Sequence, residues 1–190
     1  MEKRWVLSIS TTCLERKSSK LNTEKIKVVV TDIDGVLTSG KVLYLKGGLY
    51  RTFNIKDGTA FKLLSISGIK TAVISAKKSE ETRKRFLELE VNYYIEGVEN
   101  KLSAMEKFII SKGIKWSEIC YIGDDLQDIP VMKKVGLSVA PCDACKEVKE
   151  IADYICKKNG GDGAFRETVE VILKGKRIWE EVIKKFLASF

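Results

Sequence analysis

Short apolar runs alternate with stretches of helical period along most of the chain. Val28-Val29-Val30-Thr31, Lys70 to Ser75, Ile119-Cys120-Tyr121-Ile122 and Leu137-Ser138-Val139-Ala140 are apolar or β-branched nearly throughout. Such runs predict strands buried on both faces. Val91 to Ile95 and Asp153-Tyr154-Ile155-Cys156 predict shorter ones. Between them, Asp57 is placed to cap a helix through Phe61 and Leu64 that ends at Gly68. Ser79 with Glu80 and Glu81 opens another, the acids suiting the positive end of the helix dipole. Asn100 caps a third, with Leu102, Met105, Phe108 and Ile109 on one face and Gly113 at its end. Arg177 to Phe190 places Ile178, Val182, Ile183, Phe186 and Leu187 on one helical face. This alternation predicts an α/β fold, a parallel Rossmann-like sheet with helices on both faces and right-handed crossovers.

One stretch departs from the alternation. Lys41–Leu45 and Leu49–Asn54, joined by Lys46-Gly47-Gly48, read as a β-hairpin. Its sides are apolar and aromatic, and a free-standing hairpin is only marginally stable. It is therefore expected to pack against something, with a neighbouring subunit as the natural partner. Residues 1–25 are polar with little periodicity and read as an N-terminal extension. The main domain then spans 26–175, with the hairpin at 41–54, and a C-terminal amphipathic helix follows at 176–190.

Length and charge narrow the class. A chain of 190 residues suits one compact domain. No apolar run approaches the ~20 residues needed to cross a bilayer. The first ten residues are too polar for a signal peptide, which predicts a cytoplasmic protein without a membrane partner. The net charge of +8 is spread along the chain, so no nucleic-acid arm is expected. A basic surface either steers anionic substrates inward or is simply a solvated exterior, and the second is the expectation. The five cysteines are scattered, and Cys142-Asp143-Ala144-Cys145 lacks two further ligands for zinc. The chain has no histidine, so acid–base chemistry falls to carboxylates, lysine or tyrosine.

Polar groups gather where the predicted strands end. Asp32 and Asp34 follow the first strand, Ser75 closes the second, and Asp124 and Asp125 follow a later one. Alone, Asp32-Ile33-Asp34-Gly35 also reads as a tight turn. Parallel strands, however, bring all these ends to one edge, where ligands bind in open α/β sheets. Lys101, at a helix start, reaches the same edge. Two like charges ~4 Å apart repel by about 4 kcal/mol at an effective dielectric near 20. Clustered carboxylates facing a phosphate therefore call for a divalent cation. Hard oxygen donors without histidine favour Mg²⁺.

These residues identify a resemblance. Asp32-Ile33-Asp34-Gly35-Val36-Leu37-Thr38, then Ser75, then Lys101, then Gly123-Asp124-Asp125-Leu126-Gln127-Asp128 match, in order, the four motifs of the haloacid dehalogenase superfamily of aspartate-nucleophile phosphatases. Within that superfamily the chain is closely similar to the 3-deoxy-D-manno-octulosonate 8-phosphate phosphatases and the related nonulosonate 9-phosphate phosphatases. The hairpin, Lys56-Asp57-Gly58, Gly136 to Ala144 and Gly160 to Glu167 extend the match over nearly all of Ile26–Leu173.

The resemblance implies a role for each matched residue. Asp32 would be the nucleophile and Asp34 the general acid and base. Mg²⁺ would be held by Asp32, the main-chain carbonyl of Asp34, and Asp124. Ser75 and Lys101 would bind the phosphoryl group, and Asp125 and Asp128 would orient it from behind. Lys77, Arg166, Asp57 and Gly58 are the positions expected to meet a phosphorylated sugar acid of lipopolysaccharide biosynthesis. The intervals from Asp32 to Ser75 and from Ser75 to Lys101 are too short for a cap domain. The resemblance accordingly implies a capless homotetramer in which hairpins meet and Arg166 reaches an adjacent subunit's site.

Motif two departs from the usual Thr-Gly-Arg and reads Ser75-Ala76-Lys77. Lysine lacks the planar fork suited to a carboxylate. Other small phosphate esters therefore stay open as substrates, as does a weakly active oligomerisation module of the same fold. A phosphoacceptor signalling domain would lack a second acid at Asp34.

Overall fold

A computed structural model describes residues 21–46 and 48–190. Most of the N-terminal extension, Cys13 and the hairpin's Gly47 lie outside the described residues. Strands β1 (Val28–Thr31), β4 (Lys70–Ser75), β5 (Tyr93–Glu96), β6 (Ile119–Ile122), β7 (Leu137–Ala140) and β8 (Tyr154–Ile155) form one six-stranded sheet in the order β5-β4-β1-β6-β7-β8. Every pairing in it is parallel. β2 (Leu43–Leu45) and β3 (Gly48–Tyr50) pair antiparallel as a separate two-stranded sheet, with Leu43 opposite Tyr50.

The helices are α1 (Ile55–Ser67), α2 (Glu80–Glu88), α3 (Lys101–Lys112), α4 (Ile129–Met132), α5 (Lys146–Ile151), α6 (Ala164–Gly175) and α7 (Trp179–Leu187). They cover both faces, which is why β1 has no polar alternation. Val29 packs with Phe61, Phe86, Phe165, Ile172 and Val182 on one side. Val28 and Val30 pack with Met105, Phe108, Val131 and Val148 on the other. Phe61 stacks on Phe165 with ring centroids 4.4 Å apart. This contact ties α1 to α6 and contributes about 1 kcal/mol beyond its buried area.

From β1 the chain builds outward through β4 and β5, then returns to lay β6, β7 and β8 on the other side. The order therefore reverses between β1 and β6. That crevice at the carboxyl ends of the strands is where open α/β sheets bind ligands. Asp32 and Asp124 follow these two strands.

Ser79 and Asn100 cap α2 and α3 as expected, and Gly68 and Gly113 close α1 and α3 in left-handed conformations. The start of α1 needs correction. Asn54, not Asp57, is its cap, accepting from the Lys56 N–H at 2.8 Å. Asp57 lies in the first turn and is 2% exposed. Its Oδ1 accepts from the Arg166 N–H at 2.8 Å, so it caps α6, whose own N-cap residue Gly163 has no side chain to do so. β3 also stops earlier than expected, at Tyr50. The next residue, Arg51, is drawn to Asp34 instead of extending the ladder.

Candidate active site

Asp32 leaves β1 at the central crevice and is 3% exposed. Lys101 is the first residue of α3, whose Asn100 cap accepts from the Ser103 N–H at 2.9 Å. The ammonium lies 2.9 Å from Asp32 Oδ1 and 2.6 Å from Asp128 Oδ1. Tyr121, wholly buried in β6, donates its hydroxyl to the same Asp128 oxygen at 2.7 Å. Asp128 Oδ2 accepts the main-chain N–H groups of Asp124 and Asp125 at 3.1 and 3.3 Å. Asp128 thus holds the lysine with one oxygen and the Asp124 loop with the other.

Asp32, Asp124 and Asp128 each present a carboxylate oxygen, and these lie within 4.8 Å of one another. The Lys101 ammonium pairs with two of the three, Asp32 and Asp128. Burial, and then the charges of Asp32 and Asp128, push the Asp124 carboxyl up to about 8. Burial likewise raises Asp32 to about 6, with Lys101 opposing and Asp128 reinforcing the rise. Burial alone would lower Lys101, but the charges of Asp32 and Asp128 outweigh it and raise its pKa. Asp124 Oδ1 is buried without a hydrogen-bond partner. An unpartnered carboxylate oxygen among other acids is a strong acceptor short of positive charge. A hard divalent cation fits this donor set, which consists of oxygens alone.

The turn after β1 is shaped by its neighbours. Gly35 has φ +95°, and a Cβ there would sit 1.9 Å from Asp124 Oδ2. Only glycine combines that conformation with so close a carboxylate. Gly160 backs the same turn, since a Cβ on it would lie 1.8 Å from the Gly35 carbonyl oxygen.

The remaining expected residues are spread more widely. Ser75 ends β4, 5% exposed, and its Oγ accepts from the Lys77 N–H at 3.2 Å. The Asp34 side chain stands apart from the three clustered acids. Arg51 Nε donates to its Oδ1 at 2.7 Å and Arg51 Nη2 to its Oδ2 at 3.0 Å. Asp125 is exposed and caps the short turn at Leu126–Asp128, accepting from the Leu126 N–H at 2.8 Å. Lys77 lines a cavity of about 450 Å³ with Tyr50, Arg51 and Ser79. Arg166 lines a different one of about 490 Å³ with Lys56, Lys158 and Lys174. It is held there by Glu170 at 3.0 Å and lies over the Trp179 ring.

Asp57 and Gly58, expected to meet substrate, have structural partners here. The Asp57 carboxylate is taken up by α6, and a Cβ on Gly58 would meet Arg85 and Leu89 of the neighbouring α2 region at 3.2 and 3.3 Å. Burial pushes Asp57 up to about 6, partly offset by the Arg166 and Gly163 N–H groups. Sequence reasoning missed Arg51 and Tyr121. The first lies inside an alternating segment and the second inside an apolar run, so neither carried a signal of its own.

Comparison with known proteins supplies the family. Residues 94–167 match the model of the haloacid dehalogenase-like hydrolases. The 3-deoxy-D-manno-octulosonate 8-phosphate phosphatase of Haemophilus influenzae is 36% identical over 169 residues, covering 87% of this chain and 94% of the relative. The chain belongs to this phosphatase family. The Escherichia coli K12 phosphatase of the same description is also 36% identical, over 79% of this chain and 80% of its own. A family structure from Moraxella catarrhalis, solved with a magnesium ion, a phosphate ion and a KDO molecule, superposes with a TM-score of 0.84 at 33% identity. It covers 87% of this chain and 95% of that one. Among the described residues no helix is long and apolar enough to cross a membrane.

Proposed function

We propose that this chain hydrolyses the phosphate monoester of 3-deoxy-D-manno-octulosonate 8-phosphate through an aspartyl-phosphate on Asp32. The observation that carries the reading is the setting of Asp32. It is a buried carboxylate with one oxygen fixed by Lys101, in a crevice shared with Asp124, whose buried Oδ1 has no hydrogen-bond partner. In the first step Asp32 Oδ2 bonds to phosphorus as the ester P–O bond breaks, and Asp34 gives a proton to the departing sugar oxygen. In the second step water attacks phosphorus, the bond to Asp32 breaks, inorganic phosphate leaves, and Asp34 takes the water's proton. Lys101 has three N–H donors, two of them committed to Asp32 and Asp128. The third is left for the phosphoryl oxygens, with the Ser75 hydroxyl as a second donor.

Asp32, the Asp34 carbonyl and Asp124 would hold Mg²⁺, with Asp128 and Asp125 fixing the loop behind. Bound there, the ion would screen the repulsion between Asp32 and the phosphate dianion. Lys77 and Arg51 line the cavity beside Asp34, which we assign to the sugar. Lysine at position 77 keeps a nonulosonate 9-phosphate or another small ester as the second reading of the substrate.

We further read the chain as a homotetramer joined through its hairpins, with Arg166 of one subunit completing its neighbour's site. Cys120, Cys145 and Cys156 are free thiols, and we read the location as cytoplasmic, where thiols stay reduced. The deciding experiment measures phosphate release from sugar phosphates with and without a carboxylate, for wild type and Asp32→Asn. Mg²⁺-dependent release confined to the wild type and favouring the acids is expected. Wild-type-like turnover by Asp32→Asn would refute the mechanism, and equal rates on both substrate sets would refute the sugar-acid assignment.

A further inference from the structure

Arg51 spends its guanidinium on Asp34. Its Nε and Nη2 make parallel contacts of 2.7 and 3.0 Å with the two carboxylate oxygens. The arginine side chain is 7% exposed and Asp34 31%, so the cation is the more deeply enclosed partner. Taking a guanidinium out of water is costly, and a two-pronged contact returns direction as well as energy. Arg51 also lines the cavity that holds Lys77. It directly follows β3, so the hairpin determines where its side chain starts.

We propose that Arg51 is the positioning residue for Asp34, aiming its carboxyl at the leaving-group oxygen, and that the hairpin thereby sets the proton transfer. The inference rests on the phosphatase reading above. A carboxylate offers about four lone-pair sites. The fork occupies one on each oxygen, which leaves one on each for the travelling proton. Apart from Arg51, the Asp34 side chain is tethered by a long 3.5 Å contact from Thr38 Oγ1. Without the fork only that long contact would orient the carboxyl, and proton transfer tolerates little misplacement. Lysine at position 51 would keep the charge and lose the fork.

Two esters separate aim from mere structure. A sugar alkoxide leaves only with a proton, whereas 4-nitrophenolate leaves unaided. With 3-deoxy-D-manno-octulosonate 8-phosphate, Arg51→Met is expected to lower kcat at least about tenfold, and with 4-nitrophenyl phosphate less than about threefold. Arg51→Lys should fall between Arg51→Met and wild type on the sugar ester. If Arg51→Met does not fold, Arg51→Lys carries the test through the same split. Equal losses on both esters in a folded variant would overturn the inference. A wild type inactive on both would overturn the phosphatase reading itself.

Discussion

Lys101 lies closer to Asp128, at 2.6 Å, than to Asp32, at 2.9 Å. Its location is therefore set as much by the acid behind it as by the one in front. Asp128 in turn is fixed by the Tyr121 hydroxyl and two main-chain N–H groups. Four groups from β1, α3, β6 and the following turn are locked together before any substrate arrives. Such preorganised charge is what stabilises a developing phosphoryl transition state.

Lys101→Met removes the ammonium and leaves three clustered acids without it. Phosphate release is expected to fall at least about a hundredfold, with the protein still folded by circular dichroism. Retention of more than about a tenth of wild-type kcat would show that the lysine is a structural pair only.

Much of this arrangement was legible in the sequence, and the reason is local. The apolar runs ending at Thr31, Ser75 and Ile122 carry their polar residues with them, so sheet topology alone brings the acids to one edge. Ser79, Asn100, Gly68 and Gly113 announce helix ends through bonds within a few residues. What stayed hidden depends on distant contacts. Helix α6 begins after a glycine-rich segment with no capping side chain, because its cap, Asp57, lies 109 positions before the Arg166 N–H that it accepts. Arg51 reaches Asp34 across 17 positions, around an exposed hairpin. Tyr121 reads as one more apolar strand residue until Asp128 is seen beneath its hydroxyl.

Asp57 predicts a pH effect on stability. Its folded-state pKa is raised from 3.8 to about 6, chiefly by burial. A carboxyl with a raised folded pKa favours the native state most below its unfolded pKa. That contribution is lost as pH rises through about 6. Asp57→Asn keeps an acceptor for the Arg166 N–H and cannot ionise. Between pH 4 and pH 7 wild type should therefore lose stability relative to Asp57→Asn, by up to about 3 kcal/mol. Urea unfolding of both proteins at several pH values measures the difference. Parallel stability profiles would show that Asp57 ionises without cost.

Gly35→Ala tests the fit between the turn and the cation site. The added Cβ would fall 1.9 Å from Asp124 Oδ2 at a φ of +95°. Either Asp124 or the turn must move. The Mg²⁺ concentration for half-maximal activity is expected to rise at least about tenfold. Titration of activity against Mg²⁺, with a thermal melt as control, reads this directly. An unchanged Mg²⁺ requirement would mean that Asp124 does not hold the ion.

The hairpin carries the last prediction. Leu43, Leu45 and Tyr50 are all exposed. Leu43 and Leu45 lie two residues apart in β2, and Leu43 pairs with Tyr50 across the ladder. Alternation along a strand puts these three side chains on one face. Among the described residues, none of the three belongs to either buried core of the main domain. A second copy presenting the same face would cover it symmetrically. On the homotetramer proposed above, wild type should scatter light as a tetramer. Leu43→Glu combined with Leu45→Glu should yield a smaller species with lower activity. Its unfolding midpoint should stay close to wild type if assembly adds little to the stability of the domain itself. A monomeric wild type, or a fully active monomeric variant, would refute subunit closure of the site. Because Arg51 joins the same hairpin to Asp34, losses in the dissociated variant should be larger on the sugar ester than on 4-nitrophenyl phosphate.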